Sequence, residues 1–574
     1  YLVDLKKETA RVVIKQIYYN CFLNKLKLED IFEILSEMRE ETNLRLQIEL
    51  DKIIAKTSIN NVLEILNEEI NTAINVDIAL IMYLITNEDI QAILEDDIPV
   101  LLNFTKILYN MNTKFVDFPI ERVANILLNL IDEINLEEMN FDELFEMMND
   151  TLKKYIETKK PTSAVLAGGG FIGLELAENL KDLGIDVTIV QRPKQLMNPF
   201  DADMASFIHN EMRKHGVKLL LGHTVEGFEE KGETIRVLLK DEQPLHADLV
   251  ALAIGVTPDT HLAKEAGLQL GIKDSIVVND RMETSIPDIY AAGDAVMVKH
   301  YVTGQDALIS LAGPANKQGR IIADNICGGD SHYLGSQGSS VIKVFDLTAA
   351  TTGINETNAR KAGLDVDTVI LSPMNHAGYY PGGKVMTMKV VFEKNTYRLL
   401  GAQIVGYEGV DKRIDVLSTA IHANLKATSL KDLDLAYAPP YSSAKDPVNM
   451  AGFMIDNIAN GVLKQWHLSD LTSVLQDSNA KLLDVRTISE YEHSHIEGFK
   501  NIPVDELRDH LSEIEKDKPV YVICQSGLRS YIATRILSQN GYDAYNFAGG
   551  FRFYEAVMHD RSLVEKETAC GMDL

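Results

Sequence analysis

Two apolar spacings divide the 574-residue chain. In the first part Leu28, Ile31, Phe32, Leu35 and Met38 recur every three or four residues, as do Phe141, Leu144, Phe145 and Met148. Val62-Leu63-Ile65-Leu66 and the run Ile78 to Ile85 lie between them. That period is one face of a helix, and it predicts an acidic all-α region over residues 1–158. After Pro161 the pattern changes to short apolar runs bounded by turn residues. Ala164–Ala167 and Asp186–Val190 predict two strands around a helix, a βαβ unit. Further strands are predicted near Val341–Phe345, Val385–Phe392 and Ala402–Tyr407, and another over Val520–Ile523.

The expected fold class is a multidomain α/β chain behind an all-α N-terminal region. Its parts are a Rossmann-like nucleotide-binding domain over 159–270, a segment over 271–330 and an α+β domain over 331–453. A linker over 454–468 and a compact α/β module over 469–574 complete it.

Glycine sharpens the division. All 36 glycines lie at or after Gly168. Gly168-x-Gly170-x-x-Gly173 follows the first strand and opens the helix. Gly168 permits the tight turn, Gly170 lets backbone approach a pyrophosphate, and Gly173 lets helix and strand pack closely. Glu175 is grouped with this loop. The second strand ends at Gln191-Arg192 where an acidic residue would hold the ribose of NAD. Gln can still bond a hydroxyl and Arg can pair a 2′-phosphate, which favours NADPH with NADH also admitted. Asp186 starts that strand and is badly placed for the role.

The net charge of −28 argues against nucleic acid as a partner. The run Ile78 to Ile85 is too short to span a bilayer, and no leader of basic, apolar and small residues is visible. Four cysteines in so long a chain predict no disulfide framework and a reducing, cytoplasmic setting. The acidic runs read as solvated helix faces, and Cys21 as a core thiol. No metal site is expected. The chain starts at Tyr1, as a processed product or a fragment would.

The C-terminal module carries its own chemistry. Val520–Ile523 ends at Cys524, and Cys524-Gln525-Ser526-Gly527-Leu528-Arg529 opens a helix at Ser530. Loop amides converging at a helix N-terminus stabilise a thiolate or persulfide, and Arg529 adds a fixed charge. This loop, with Asp484-Val485-Arg486, His495-Ile496-Glu497-Gly498 and Ala548-Gly549-Gly550, resembles the rhodanese family. Four residues separate Cys524 from Arg529, one fewer than in cysteine phosphatases, and the smaller cradle suits sulfane sulfur. Cys570 reads as a tail thiol, with a relay role as the alternative.

The stretch TSIPDIYAAGDA, Thr284 to Ala295, resembles the second flavin motif of the pyridine nucleotide–disulfide oxidoreductases. The resemblance implies that a strand delivers Gly293-Asp294, that Asp294 bonds the ribityl and phosphate part of FAD, and that Thr284–Asp294 lines the flavin. Gly255, in AIGVTP, matches the turn closing the nicotinamide domain. LAGPANKQGRIIADNI, SSVIKVFDLTAATTG, NHAGYYPGG and YAPPYSSAKDPVN narrow the likeness to coenzyme A-disulfide reductases and NAD(P)H-dependent persulfide reductases, some of which carry a rhodanese domain. The resemblance implies a homodimer acting on coenzyme A disulfide, persulfide or polysulfide. It implies that Asn316 and Lys445 contact coenzyme A and that Tyr379 and Tyr437 reach the reacting sulfur and flavin. From the residues alone, Tyr379, Tyr380 and Tyr441 are equally core or interface aromatics.

That family also has an N-terminal glycine loop for the ADP half of FAD and a redox cysteine soon after. Residues 1–167 contain no glycine to form such a loop. Three explanations stand open: a truncated or mis-joined reading frame, a genuine helical replacement, or a separate subunit completing the site. Loss of a whole half-site predicts uncovered apolar surface on the flavin side. The corresponding expectation is a flavin- and NAD(P)H-dependent reductase coupled to sulfur transfer, with an impaired redox half. The alternative is a sulfurtransferase working through Cys524 on an inert scaffold.

Overall fold

The computed structural model describes residue 152, residues 155–232 and residues 234–569. The helical expectation for 1–158, apart from its last few residues, and the readings of Cys21 and Cys570 lie outside them. The chain divides into two compact units, Tyr1–Lys160 and Pro161–Leu574. The second unit holds the sheets and helices that position the site.

Its first layer is a four-stranded parallel sheet in the order Lys218–Leu221, Asp186–Gln191, Ser163–Ala167, Leu249–Leu252. Ser163–Ala167 lies in the middle, which explains its unbroken apolar run: the helix Phe171–Asp182 packs on the sheet, and Val165 and Val190 pack against Val237, Leu239 and Ala247 of the antiparallel sheet Val225–Lys231, Thr234–Leu239, Leu245–Ala247. Gly173, Leu174, Ala177 and Leu180 form the buried stripe of the helix Phe171–Asp182. A second helix, Ala202–Lys214, buries Met204, Ala205, Ile208 and Met212.

The next segment is small. Ile276–Val277, Val296–Lys299 and Asp306–Ala307 make a three-stranded sheet beside the helix Ala312–Ile326. Here the structure departs from one expectation. Gly293-Asp294 lies in a single 3-10 turn ahead of the strand Val296–Lys299, not at the end of one. Tyr290 bridges Glu283, and Ala291 N donates to Met282 O at 3.1 Å. Among the described residues no neighbouring strand offers Ala291 and Ala292 a ladder to extend. Of the 15-residue helix, only Gln318 and Asn325 are buried. Leu252, Ile254, Val256 and Ile326 are each more than 60% exposed.

A five-stranded antiparallel sheet follows, in the order Ser340–Val344, Leu347–Gly353, Leu399–Gly406, Thr387–Glu393, Val366–Leu371. Every residue of Leu399–Gly406 is buried, because helices such as Val410–His422 close the sheet. The helix Pro447–Ala459 buries Val448, Ala451 and Ile455 in this core, so packing continues past residue 453. A buried ion cluster joins this sheet to the nucleotide domain. Lys389 Nζ lies 3.1 Å from Asp201, 2.8 Å from Asp203 and 2.9 Å from Glu356. Burial pushes the Lys389 ammonium down, but these carboxylates outweigh it and hold its pKa above the ordinary lysine value.

The last module is a five-stranded parallel sheet, Gln465–Trp466, Ala544–Phe547, Val520–Ile523, Lys481–Asp484, Lys500–Asn501. Its closing helix, Gly550–Ala569, packs on Ala202–Lys214, with the Phe207 and Phe553 rings stacked at 6.3 Å. Gln465 Nε2 donates to Thr368 O at 2.7 Å, tying the module to the antiparallel sheet. No helix among the described residues is long and apolar enough to cross a membrane.

Candidate active site

The glycine loop has the geometry of a pyrophosphate cradle. A Cβ on Gly168 would lie 2.2 Å from Ala253 O, and one on Gly173 would lie 2.2 Å from Gly168 O. Gly168 also has φ +112°, so both positions exclude a side chain. At Gly170 a Cβ would meet nothing within 4 Å. Gly170 is the N-cap of Phe171–Asp182 and makes no side-chain cap bond, so helix amides face open space over backbone. The residues therefore fit a dinucleotide phosphate. Glu175 is exposed in the first turns of that helix, and Gly255 is exposed with φ +99°.

Gln191 has a different use from the one expected of it. Its Oε1 accepts from Gly169 N at 2.9 Å, bracing the glycine loop. Arg192 is exposed and makes no ion pair among the described residues, which leaves its charge available to a 2′-phosphate. Asp186 pairs with Lys181 at 3.3 Å at the far end of the strand.

At the flavin segment, Gly293 N donates to the buried Gln318 Oε1 at 2.7 Å, and Gly293 has φ +82°. That fixes the turn carrying Asp294, whose carboxylate is exposed and unpaired among the described residues. Thr284 Oγ1 is spent inside its own turn, donating to Ile286 O at 3.2 Å. An exposed carboxylate on a fixed turn fits the ribityl hydroxyls of FAD. No second glycine cradle for its ADP half occurs among the described residues.

The two tyrosines expected together do meet: Tyr379 and Tyr437 hydroxyls lie 3.0 Å apart. That hydrogen bond pushes the Tyr437 hydroxyl above the usual phenol range. Their loops are joined by a residue the sequence did not single out. Arg413, 1% exposed, donates through Nη2 to Asn375 O at 2.8 Å, Tyr441 O at 3.2 Å and Asp446 Oδ2 at 2.9 Å. Ala377 N donates to Ser442 O at 3.0 Å, closing the pair of loops. Asn316 is exposed on Ala312–Ile326, and Lys445 is exposed with its ammonium 6.0 Å from the Phe453 ring.

The thiol loop is the best-defined centre. Cys524 is fully buried at the strand end. Gly527 N and Ser530 Oγ each lie 3.2 Å from its Sγ as donors. Gly527, at φ +97°, turns the loop into the helix Leu528–Gln539. Gly550 is needed for close approach: a Cβ there would sit 2.8 Å from Cys524 O. Phe551 N donates to that same carbonyl at 2.7 Å. Arg529 does not offer an unmatched charge. Its guanidinium is bidentate with Glu490 at 2.7 Å through each nitrogen. Those bonds, with help from Thr487, hold the Glu490 carboxyl at about 2. Arg486 is likewise matched by Asp484 at 2.8 Å and lies over the Phe551 ring. The Gly527 amide and the Ser530 hydroxyl are thus the hydrogen-bond donors to the sulfur among the described residues.

Sequence reasoning missed Glu490, Ser530 and Arg413. Thr487-x-x-Glu490 is legible as a capping box, which the structure forms, but its link to Arg529 is not local. Glu211, His215 and Asp346 bring possible metal ligands within 4.8 Å. Glu211 there is already bonded to Lys214 and His215, both at 3.1 Å.

A Rossmann-type glycine loop, the Gly293-Asp294 turn, a closing antiparallel sheet and a cradled thiol lie in one compact unit. The chain belongs to the pyridine nucleotide-disulphide oxidoreductase family. The model of that name matches residues 136–319, its dimerisation domain residues 339–447, and the rhodanese-like domain residues 467–556. Proteins of this family use FAD and NAD(P)H.

Similarity extends to the NAD(P)H sulfur oxidoreductase (CoA-dependent) of Pyrococcus abyssi, 36% identical over 298 residues. That match takes in 52% of this chain and 66%, just under two thirds, of the relative. The coenzyme A disulfide reductase of Staphylococcus epidermidis is 33% identical over 330 residues, 57% of this chain and 72% of that one. The crystal structure of reduced Bacillus anthracis CoADR-RHD superposes with a TM-score of 0.70 at 46% identity, covering 72% of this chain and 74% of that one.

Proposed function

We propose that this protein is an NAD(P)H-dependent reductase of coenzyme A disulfide, persulfide or polysulfide that exchanges sulfane sulfur with its own Cys524. The carrying observation is the Cys524 cradle, with two donors at 3.2 Å from sulfur, in the same compact unit as the glycine loop. The Cys524 thiolate attacks the sulfane sulfur of a donor. A new S–S bond forms, the donor's S–S bond breaks, and the leaving thiolate or sulfite departs with the electron pair. Gly527 N–H and Ser530 O–H then hold the anionic persulfide.

In the reductase half, Gly168–Gly173 would seat the dinucleotide pyrophosphate, and Gln191 would keep that loop in shape. Arg192 would bind the 2′-phosphate of NADPH. Asp294 and the Thr284–Asp294 backbone would hold the flavin, which when bound relays the hydride's two electrons to the sulfur–sulfur bond. Tyr379 and Tyr437 would orient the reacting sulfur: one hydroxyl donates to the other, which leaves a proton to offer a departing thiolate. Asn316 and Lys445 would contact coenzyme A, in a homodimer built on the antiparallel sheet. The free thiols of Cys327 and Cys524 suit a cytoplasmic protein.

A second reading is favoured by one observation, the lack of any glycine before Gly168. With no glycine cradle for the ADP half of FAD among the described residues, the redox half on this reading is impaired and only sulfur transfer through Cys524 persists. The test is to purify the protein, read its visible flavin absorbance and assay two activities. The reductase reading expects bound flavin and NAD(P)H-dependent persulfide reduction. Colourless protein that transfers sulfur from thiosulfate to cyanide establishes the second reading. In either case Cys524→Ser abolishes thiosulfate transfer, and transfer by that variant overturns the role of Cys524.

A further inference from the structure

Asp560 belongs to the closing helix of the rhodanese module, yet its carboxylate is buried in the nucleotide domain. It is 4% exposed. Ser206 Oγ donates to its Oδ2 at 2.8 Å, Arg213 Nη1 donates to its Oδ1 at 2.6 Å, and His209 Nδ1 lies 2.8 Å from its Oδ2. Residues 206, 209 and 213 stand on one face of Ala202–Lys214. Burial pushes the Asp560 carboxyl up, but the bonds from His209, Arg213 and Ser206 outweigh that and hold it below the usual range.

His209 passes the contact on. Its Nε2 accepts from Leu196 N at 2.9 Å, so Nδ1 carries the proton that Asp560 accepts. Leu196 belongs to the turn that follows Gln191-Arg192, and this turn lies against the glycine loop. Met197 N donates to Gly169 O at 2.8 Å. A Cβ on Gly169 would fall 2.2 Å from Leu196 Cδ2, so the leucine occupies the space that glycine leaves. Met197 takes φ +51° while fully buried, a conformation that surrounding bonds must impose. Gln191, at the start of the turn, bonds Gly169 N from the other side. An end-to-end series therefore runs Asp560, His209, Leu196, Met197, Gly169, and each hydrogen bond in it is 2.8 to 2.9 Å long.

We propose that Asp560, acting through His209, is a positioning residue for dinucleotide binding: the sulfur-transfer module braces the 191–197 turn and so sets the glycine loop and Arg192. This rests on the reading that the dinucleotide binds at Gly168–Gly173. The brace uses no atom of the Cys524 cradle, so the two activities separate on mutation. Loss of one bond in a preorganised series weakens binding by a few-fold rather than abolishing it.

The experiment uses the full chain with NADPH and NADH as probes. Asp560→Ala is expected to raise the dinucleotide dissociation constant about three- to ten-fold. It should also speed amide hydrogen exchange at Leu196 and Met197, and leave kcat and KM for thiosulfate transfer unchanged. Asp560→Asn, which keeps an acceptor for His209 Nδ1–H, should restore affinity to within about two-fold. Wild-type affinity and exchange in Asp560→Ala would overturn the proposal, as would failure of Asp560→Asn to recover either. If Asp560→Ala loses sulfur transfer as well, His209→Leu decides on the same readouts while leaving every residue of the rhodanese module unchanged. If the wild-type chain binds no dinucleotide, the binding reading fails, and exchange at Leu196 and Met197 still decides the brace.

Discussion

Replacing Glu490 by Gln tests whether the ion pair with Arg529 holds the thiol loop on its module. Glutamine keeps the length of the side chain and an acceptor for Thr487 N, which bonds Glu490 at 2.9 Å, and it removes the charge together with one of the two acceptors for Arg529. The carboxyl falls from an ordinary 4.5 to about 2, with the Arg529 hydrogen bonds the largest cause. That fall bounds the stabilisation at ~3.4 kcal/mol. The side chain is 33% exposed, and solvent screening brings the expected effect to about 1–2 kcal/mol. The sign follows from the depressed value. Stabilisation is complete above pH 4.5 and is lost as pH falls towards 2, so the gap between wild type and variant closes over that window.

The assay is built in. Trp466 is the single tryptophan, 2% exposed, and it packs between Phe499, Tyr521 and Phe547 of the rhodanese module. Urea unfolding followed by tryptophan fluorescence therefore reports this module alone. At pH 7 the variant should be less stable by about 1–2 kcal/mol, with the difference shrinking to within error near pH 2.5. Equal stability at pH 7, or a gap that does not change with pH, would refute the reasoning.

Two other substitutions probe the reductase half. Arg192→Glu should shift preference from NADPH towards NADH by roughly ten- to a hundred-fold in relative affinity, since it replaces a phosphate partner by a like charge; unchanged competition between the two nucleotides would contradict this. Arg413→Met strands the buried Asp446 carboxylate and should cost about 3–5 kcal/mol in thermal or urea unfolding, whereas adding Asp446→Asn should recover part of the loss.

What could be read from the sequence was local. Gly168-x-Gly170-x-x-Gly173 and Cys524 to Arg529 each place backbone and side chain within one turn, so spacing alone specified a cradle. The apolar runs Ala164–Ala167 and Ala402–Tyr407 announced strands in the same way, and the structure has Ser163–Ala167 and Leu399–Gly406 there. Other features depended on residues far apart in the chain. Glu490 meets Arg529 across 39 residues, Arg413 gathers Asn375, Tyr441 and Asp446, and His209 reaches Asp560 across 351 residues. Gln191 was expected at a ribose and is found holding Gly169, because only folding sets the strand end beside the loop. Backbone-limited chemistry is written in short spacings; the pairing of charges depends on which surfaces the domains bury against each other, and that is decided in three dimensions.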